Sequence, residues 1–143
     1  MPRLTQYFLR ASLIYLLLGF TFGSLILLQK GIPFAPFLWA LLPLHVESVL
    51  IGWMTQFAMG VAFWILPRLG PTQPRGNETW SWAAFFALNL GIWLSWIPSW
   101  NMVIPGRFLE FLALVFFAWG NWPRLYPPPW KVDRGRLEMD RGR

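Results

Sequence analysis

The sequence predicts an all-α integral membrane protein, a bundle of four transmembrane helices. Of its 143 residues, 56% are hydrophobic and only 13% are charged, whereas soluble domains carry about 25% charged residues. The charges lie mainly in the C-terminal tail and in two short stretches, and long apolar runs fill the space between them. Eleven tryptophans are typical of the same class, because the indole ring favours the membrane–water interface. The lipid bilayer is therefore the expected surrounding.

Four apolar runs supply the predicted spans, at roughly residues 7–28, 37–66, 80–97 and 105–122. Each approaches the ~20 residues that a spanning helix needs. Helix-breaking residues separate the runs: Gly31 with Pro33, then the stretches 67–76 and 98–106. We expect a four-transmembrane-helix domain over residues 1–125, followed by a charged, disordered tail over residues 126–143.

The distribution of basic residues predicts the orientation. One side of the predicted bundle holds the tail and five arginines, whereas the other holds Lys30. Cytoplasmic loops prefer Lys and Arg, so both termini are predicted to be cytoplasmic in a multi-pass protein of the cell's inner (plasma) membrane. The same preference accounts for the net charge of +6, and no nucleic-acid partner is expected. The five arginines are Arg3, Arg10, Arg68, Arg75 and Arg124.

Several kinds of chemistry are excluded. The chain has no cysteine, so disulfides, thiolate metal sites and thiol nucleophiles are impossible. It also lacks a phosphate-binding glycine loop, a catalytic triad and a zinc-type cluster. No residue is therefore predicted to be catalytic.

The second predicted span keeps polar residues, including His45, the only histidine. At 100° per residue, Gly52, Gln56 and Gly60 fall near the face of His45. The glycines leave a gap beside the imidazole. A closely packed neighbouring helix and a flat macrocycle such as haem both fit such a gap, and the spacing leaves these two interpretations open.

Other polar groups in the spans predict helix contacts. Glu47 projects to a different side from the histidine, and Arg107 is expected to pair either with Glu47 or with Glu110, three positions later. Asn89 is interpreted as a hydrogen-bonding contact between helices. Gly19–Gly23 matches the GxxxG pattern of helix-packing faces.

The second span also carries a family resemblance. In HVESVLIGWMTQFAMGVAFWILPR, residues 45–68, a His is followed by Gly52-Trp53, by Gly60 and by a Leu-Pro-Arg end. This pattern resembles the haem-copper oxidase subunit I superfamily of cytochrome oxidases and nitric-oxide reductases. It is most similar to small four-helix, subunit I-like proteins. Residues 8–25 resemble the family's opening helix, and the resemblance covers about the first 125 residues.

The resemblance implies a cofactor and an architecture. It implies that His45 is an axial ligand of a b-type haem, with Gly52, Trp53, Gln56 and Gly60 lining the macrocycle. The large subunit of the family is built from three four-helix arcs. The chain resembles one such arc, which makes a homodimer or homotrimer a natural assembly.

Two departures from the family limit the expected activity. Many relatives carry a second His where this chain has Glu47, and a copper centre needs several histidines. The chain alone is therefore not expected to be a catalytic oxidase. A second axial ligand must come from another copy, from a respiratory partner protein or from a methionine.

Three functions follow from these observations. The first is a haem-binding protein for electron transfer or haem sensing, within a homo-oligomer or respiratory complex. The second is a cofactor-free structural or assembly subunit, as Glu47 in place of a second His suggests. The third is a small ion-handling protein that uses Glu47 and Arg107.

Overall fold

The computed structural model describes residues 1–67, Arg75 and residues 78–125. Within these residues the chain forms four helices and no strand, so the all-α prediction is confirmed. The predicted tail, residues 126–143, and most of the predicted connection 67–76 lie outside the described residues. The helices are α1 (Arg3–Gly31), α2 (Pro36–Ile65), α3 (Thr79–Ser95) and α4 (Trp100–Leu125).

Three of the four helices are long and apolar enough to cross a membrane. They are α1 with 29 residues, α2 with 30 and α4 with 26. Helix α3 has 17 residues, which corresponds to about 26 Å at 1.5 Å per residue, at the short limit for a span. A membrane protein is thus supported by three helices, and the fourth span stays a prediction, as does the orientation.

The helix boundaries follow local chemistry, with one correction. Helix α1 ends at Gly31, one of the predicted helix-breaking residues. Before α2 begins, Oε1 of Gln29 accepts hydrogen bonds from the backbone N–H groups of Phe34 (3.1 Å) and Ala35 (2.6 Å). The predicted start of the last helix was wrong. Helix α4 begins five residues earlier and contains Pro105 in its interior, where a proline removes one backbone hydrogen bond and disfavours the helix, yet the helix continues through it.

Helix α2 changes its winding twice. It opens with a 3₁₀ turn, Pro36–Leu41, just before Pro43, which has no N–H to continue a regular α-helical ladder. After a short α-helical stretch, Ser48–Thr55 is π-helical. The hydroxyl of Thr55 donates to the carbonyl of Leu50, five positions earlier (2.9 Å). π-Helical segments are often found at functional sites, and this one directly follows His45 and Glu47.

Glycines bring the helices together in two antiparallel pairs. A Cβ added at Gly19 would lie 2.7 Å from Cγ2 and 3.5 Å from the backbone nitrogen of Val49, so α1 and α2 pack closely at this glycine. Gly23 likewise faces α2, which confirms the GxxxG prediction. In the second pair, a Cβ on Gly91 of α3 would lie 2.8 Å from the carbonyl oxygen of Gly106 on α4.

The apolar core lies between the two pairs. Helix α1 buries a stripe spaced three or four residues apart, as helical periodicity requires, and it meets residues of the other three helices. Since the outer faces carry many exposed large apolar side chains, they suit a lipid surrounding. The core consists of Leu4, Phe8, Tyr15, Met59, Phe63, Ala84, Leu88, Ile92 and Ala113.

Candidate functional site

His45 lies between α1 and α2, near the end of the bundle opposite the N-terminus. Its Nδ1 is 2.8 Å from the carbonyl oxygen of Gly19. A carbonyl only accepts, so Nδ1 is the donor of this hydrogen bond, and in the neutral imidazole Nε2 then keeps the lone pair. Gly23 makes room for the ring, since a Cβ there would lie 2.8 Å from Cε1 of His45.

A groove adjoins this imidazole on the outer surface of the pair. Its volume is about 280 Å³, and its α1 wall is mainly apolar. Phe20, Ser24 and Leu27 are exposed, so the groove opens away from the core. The lining residues are Phe20, Gly23, Ser24, Leu27 and His45. The histidine is therefore accessible from outside the four-helix bundle.

The two glycines that follow His45 face α1 and are covered by it. A Cβ on Gly52 would lie 2.5 Å from Cγ of Tyr15, and one on Gly60 would lie 2.8 Å from Cβ of Phe8. In the single chain these gaps are thus filled by side chains of α1. This is the helix-packing interpretation of the spacing.

The other two predicted site residues also lie apart from the groove. Gln56 is fully buried, and its Nε2 is 3.5 Å from Oδ1 of Asn89 on α3, while Trp53 packs partly buried against the core. Asn89 also accepts a hydrogen bond from the hydroxyl of Tyr15 (3.1 Å). The prediction that Asn89 links helices is confirmed, and Tyr15 is a partner that sequence periodicity did not reveal.

Glu47 points to the opposite side of α2 from His45, as predicted, and takes part in a charged cluster. Its Oε2 pairs with Nη1 of Arg107, and the same nitrogen is 2.9 Å from Oε2 of Glu110. Both predicted pairings of Arg107 therefore exist together. Ser95, at the end of α3, donates to Oε1 of Glu110 (2.9 Å). We call these four residues the carboxylate cluster: Glu47, Ser95, Arg107 and Glu110.

A second arginine site lies at the other end of α4. Arg124 has only 1% of its surface exposed. Its guanidinium donates to Oδ1 of Asn121 and to the carbonyls that end α2, those of Phe63 (3.0 Å), Leu66 (2.6 Å) and Pro67 (3.1 Å). Basic side chains commonly cap free carbonyls in this way. The sequence predicted only a basic loop here.

Comparison of the chain with protein-family models, curated proteins and solved structures finds no match. Among the described residues, ionisable groups lie inside the helical bundle in the His45 groove, in the carboxylate cluster and at Arg124. Such groups are rare in membrane helices and usually have a functional role.

Proposed function

We propose that the chain is a membrane protein that binds a b-type haem through Nε2 of His45. The observation that carries the proposal is the contact between Nδ1 of His45 and the Gly19 carbonyl, beside an open groove. Histidines that bind metals usually donate their second N–H to a carbonyl or carboxylate, which fixes the ring and its tautomer. A bound haem would supply reversible one-electron exchange.

The surroundings of His45 fit a haem in three further respects. The groove wall is mostly apolar, as a macrocycle requires, and Gly23 keeps bulk away from the ring. Lys30 lies three positions after Leu27 on the same helix, so it continues that ridge of α1. Its ammonium group suits the carboxylate side chains of a haem.

The proposal includes an oligomer. The groove is open on its outer side and one chain has one histidine, so a second chain is needed to cover it. We propose a homodimer or homotrimer, or a complex with a respiratory partner, in which electron transfer or haem sensing takes place. We also propose four spans in the inner (plasma) membrane with both termini cytoplasmic. In that topology the groove lies towards the outer face of the membrane.

A cofactor-free structural or assembly subunit is the second candidate. The side chains of Tyr15 and Phe8 over Gly52 and Gly60 favour it, because the glycines then serve helix packing alone. In that case His45 is a hydrogen-bond donor between α1 and α2 and nothing more.

Absorption spectra of the purified protein, oxidised and reduced, test the proposal. The wild type from a haem-replete host should show sharp reduced α and β bands. His45→Gln should abolish them while the protein still assembles, because a glutamine amide can keep the bond to Gly19 but does not serve as a haem ligand. His45→Ala should abolish both the haem bands and the assembly.

Two results would overturn the proposal. A colourless wild type of defined oligomeric state would leave the structural subunit as the better account. An unchanged spectrum in His45→Gln would show that any haem binds elsewhere.

A further inference from the structure

Gln56 is a buried polar side chain between the two helix pairs. It belongs to α2 and has 0% of its surface exposed. Its Nε2 is 3.5 Å from Oδ1 of Asn89 on α3, which is longer than an ordinary N–H···O hydrogen bond. Its Oε1 is buried and has no donor among the described residues. An amide oxygen without a donor is energetically costly inside a protein, and above all inside a membrane protein.

The neighbours of Gln56 fix the orientation of its amide. Nδ2 of Asn89 donates to the carbonyl of Phe85 (2.8 Å), so Oδ1 is the atom that Asn89 turns towards the other helix pair. This oxygen also accepts a hydrogen bond from the hydroxyl of Tyr15 (3.1 Å). A Gln56 amide rotated by 180° would bring its own oxygen against this acceptor. Oε1 of Gln56 is therefore turned away from Asn89 and needs a different donor.

The register of α1 against α2 leaves room beside this oxygen. The rings of Phe8 and Tyr15 cover two glycines of α2, which lie about one turn on either side of Gln56. Between these rings, the buried stripe of α1 carries Ser12, whose hydroxymethyl group is far smaller than either ring. The hydroxyl of Ser12 donates to the carbonyl of Leu9 (2.8 Å), so its oxygen can still accept a hydrogen bond.

We propose that Gln56 and Ser12 hold an internal water molecule where α1, α2 and α3 meet. The water is the donor that Oε1 of Gln56 lacks, and the hydroxyl oxygen of Ser12 is an acceptor for its second hydrogen. Buried waters typically bond to polar groups that have no other partner. The amides of Gln56 and Asn89 and the hydroxyls of Ser12 and Tyr15 are all neutral, so they suit a neutral ligand. A cation at this place would be buried among these groups without a counter-charge.

The water also has a role in joining the two helix pairs. Gln56 belongs to the pair of α1 and α2, and Asn89 belongs to the pair of α3 and α4. A water bound to Gln56 holds its amide in one orientation and so keeps Nε2 directed at Asn89. The inference does not rest on haem, because Gln56 lies apart from the His45 groove.

X-ray radiolytic labelling of the whole protein in nanodiscs, read out by mass spectrometry, tests the proposal. Radiolysis of a bound water releases hydroxyl radicals that oxidise adjacent side chains, even where bulk water is excluded. Tyr15 and Phe63 are both buried, 5% and 1% exposed, but only Tyr15 adjoins the proposed site. In the wild type, Tyr15 should be labelled several-fold faster than Phe63. Gln56→Leu should lower the labelling of Tyr15 to that of Phe63.

Two further variants complete the experiment. Gln6→Leu makes the same change at an exposed position of α1, so it should leave the labelling of Tyr15 as in the wild type. Ser12→Val fills the proposed water position from α1 and removes the acceptor, so it should lower the labelling of Tyr15 as Gln56→Leu does.

Three results would overturn the proposal. The first is labelling of Tyr15 no faster than that of Phe63 in the wild type, which would show a dry core. The second is equal labelling of Tyr15 in the wild type and in Gln56→Leu. The third is a loss of labelling in Gln56→Leu but not in Ser12→Val, which would exclude Ser12 from the site. If Gln56→Leu does not fold, the wild type and Ser12→Val still decide.

Discussion

The two arginines of α4 lie at opposite ends of one helix and have opposite kinds of partner. Arg107 is half exposed and contacts two carboxylates, whereas Arg124 is buried and donates to backbone carbonyls and an amide. Among the described residues, no carboxylate forms an ion pair with Arg124. One site joins acidic side chains of two helices through a half-exposed cation, and the other is a fixed structural cap on α2.

The largest expected effect is at the fixed site. Arg124→Ala should destabilise the protein by on the order of 3 kcal/mol, because several hydrogen bonds from a charged donor are lost and buried carbonyls are left without a donor. Arg124→Lys should recover only part of this, since one ammonium cannot reproduce the guanidinium geometry. Unfolding in mixed micelles, followed by tryptophan fluorescence, measures both.

Arg10→Ala is the matched control, because it removes one positive charge at the same end of the bundle as Arg124 but from an exposed side chain. It should leave the unfolding midpoint nearly unchanged. Equal destabilisation by Arg10→Ala and Arg124→Ala would show that burial of the guanidinium is not what matters.

The next effect should depend on pH. In Arg107→Gln, Glu47 and Glu110 lose the cation that stabilises their charged forms. The folded state should then bind more protons than the unfolded state at neutral pH. Stability should then fall as pH rises, by about 1.4 kcal/mol per pH unit for each extra proton bound. Unfolding midpoints at several pH values should slope downward relative to wild type, and Arg124→Ala should follow the wild-type pH dependence. Parallel curves for Arg107→Gln and wild type would contradict this.

A smaller effect tests how the cluster is held in place. Gly91→Ala would place a Cβ 2.8 Å from Cγ of Glu110, and we expect a loss of about 1–3 kcal/mol from overpacking. Gly31→Ala, which meets nothing within 4 Å, should be nearly neutral by the same unfolding measurement. Similar costs at the two positions would mean that helix contact at Gly91 is unimportant.

The smallest effect compares one serine at each end. Ser95 donates to a carboxylate, whereas Ser81 accepts from the neutral amide of Asn121 (3.1 Å). Ser95→Ala should therefore cost about 1.5 kcal/mol or more and Ser81→Ala about 1 kcal/mol, because hydrogen bonds to charged groups are stronger. The reverse order of unfolding midpoints would indicate that Glu110 is neutral in the folded protein.

Part of the candidate site follows from the sequence. The separation of His45 from Glu47 around α2 comes from a two-residue step, and the contact of Gly19 with α2 comes from a small-residue pattern. The start of α4, by contrast, did not follow from the sequence. Pro105 was interpreted as a boundary, but α4 continues through it, because packing against the other helices can outweigh the local cost of an interior proline.

The sequence by itself determined that this is an all-α protein with apolar helices long enough for a membrane, because composition and periodicity fix where apolar surface can go. Only the tertiary structure decided which partners the polar groups find. Tyr15 and Phe8 fill the glycine gaps of α2, and Arg107 joins acids from two helices. Apart from the local Arg107–Glu110 pair, these contacts join residues far apart in the chain, so they depend on how the helices pack.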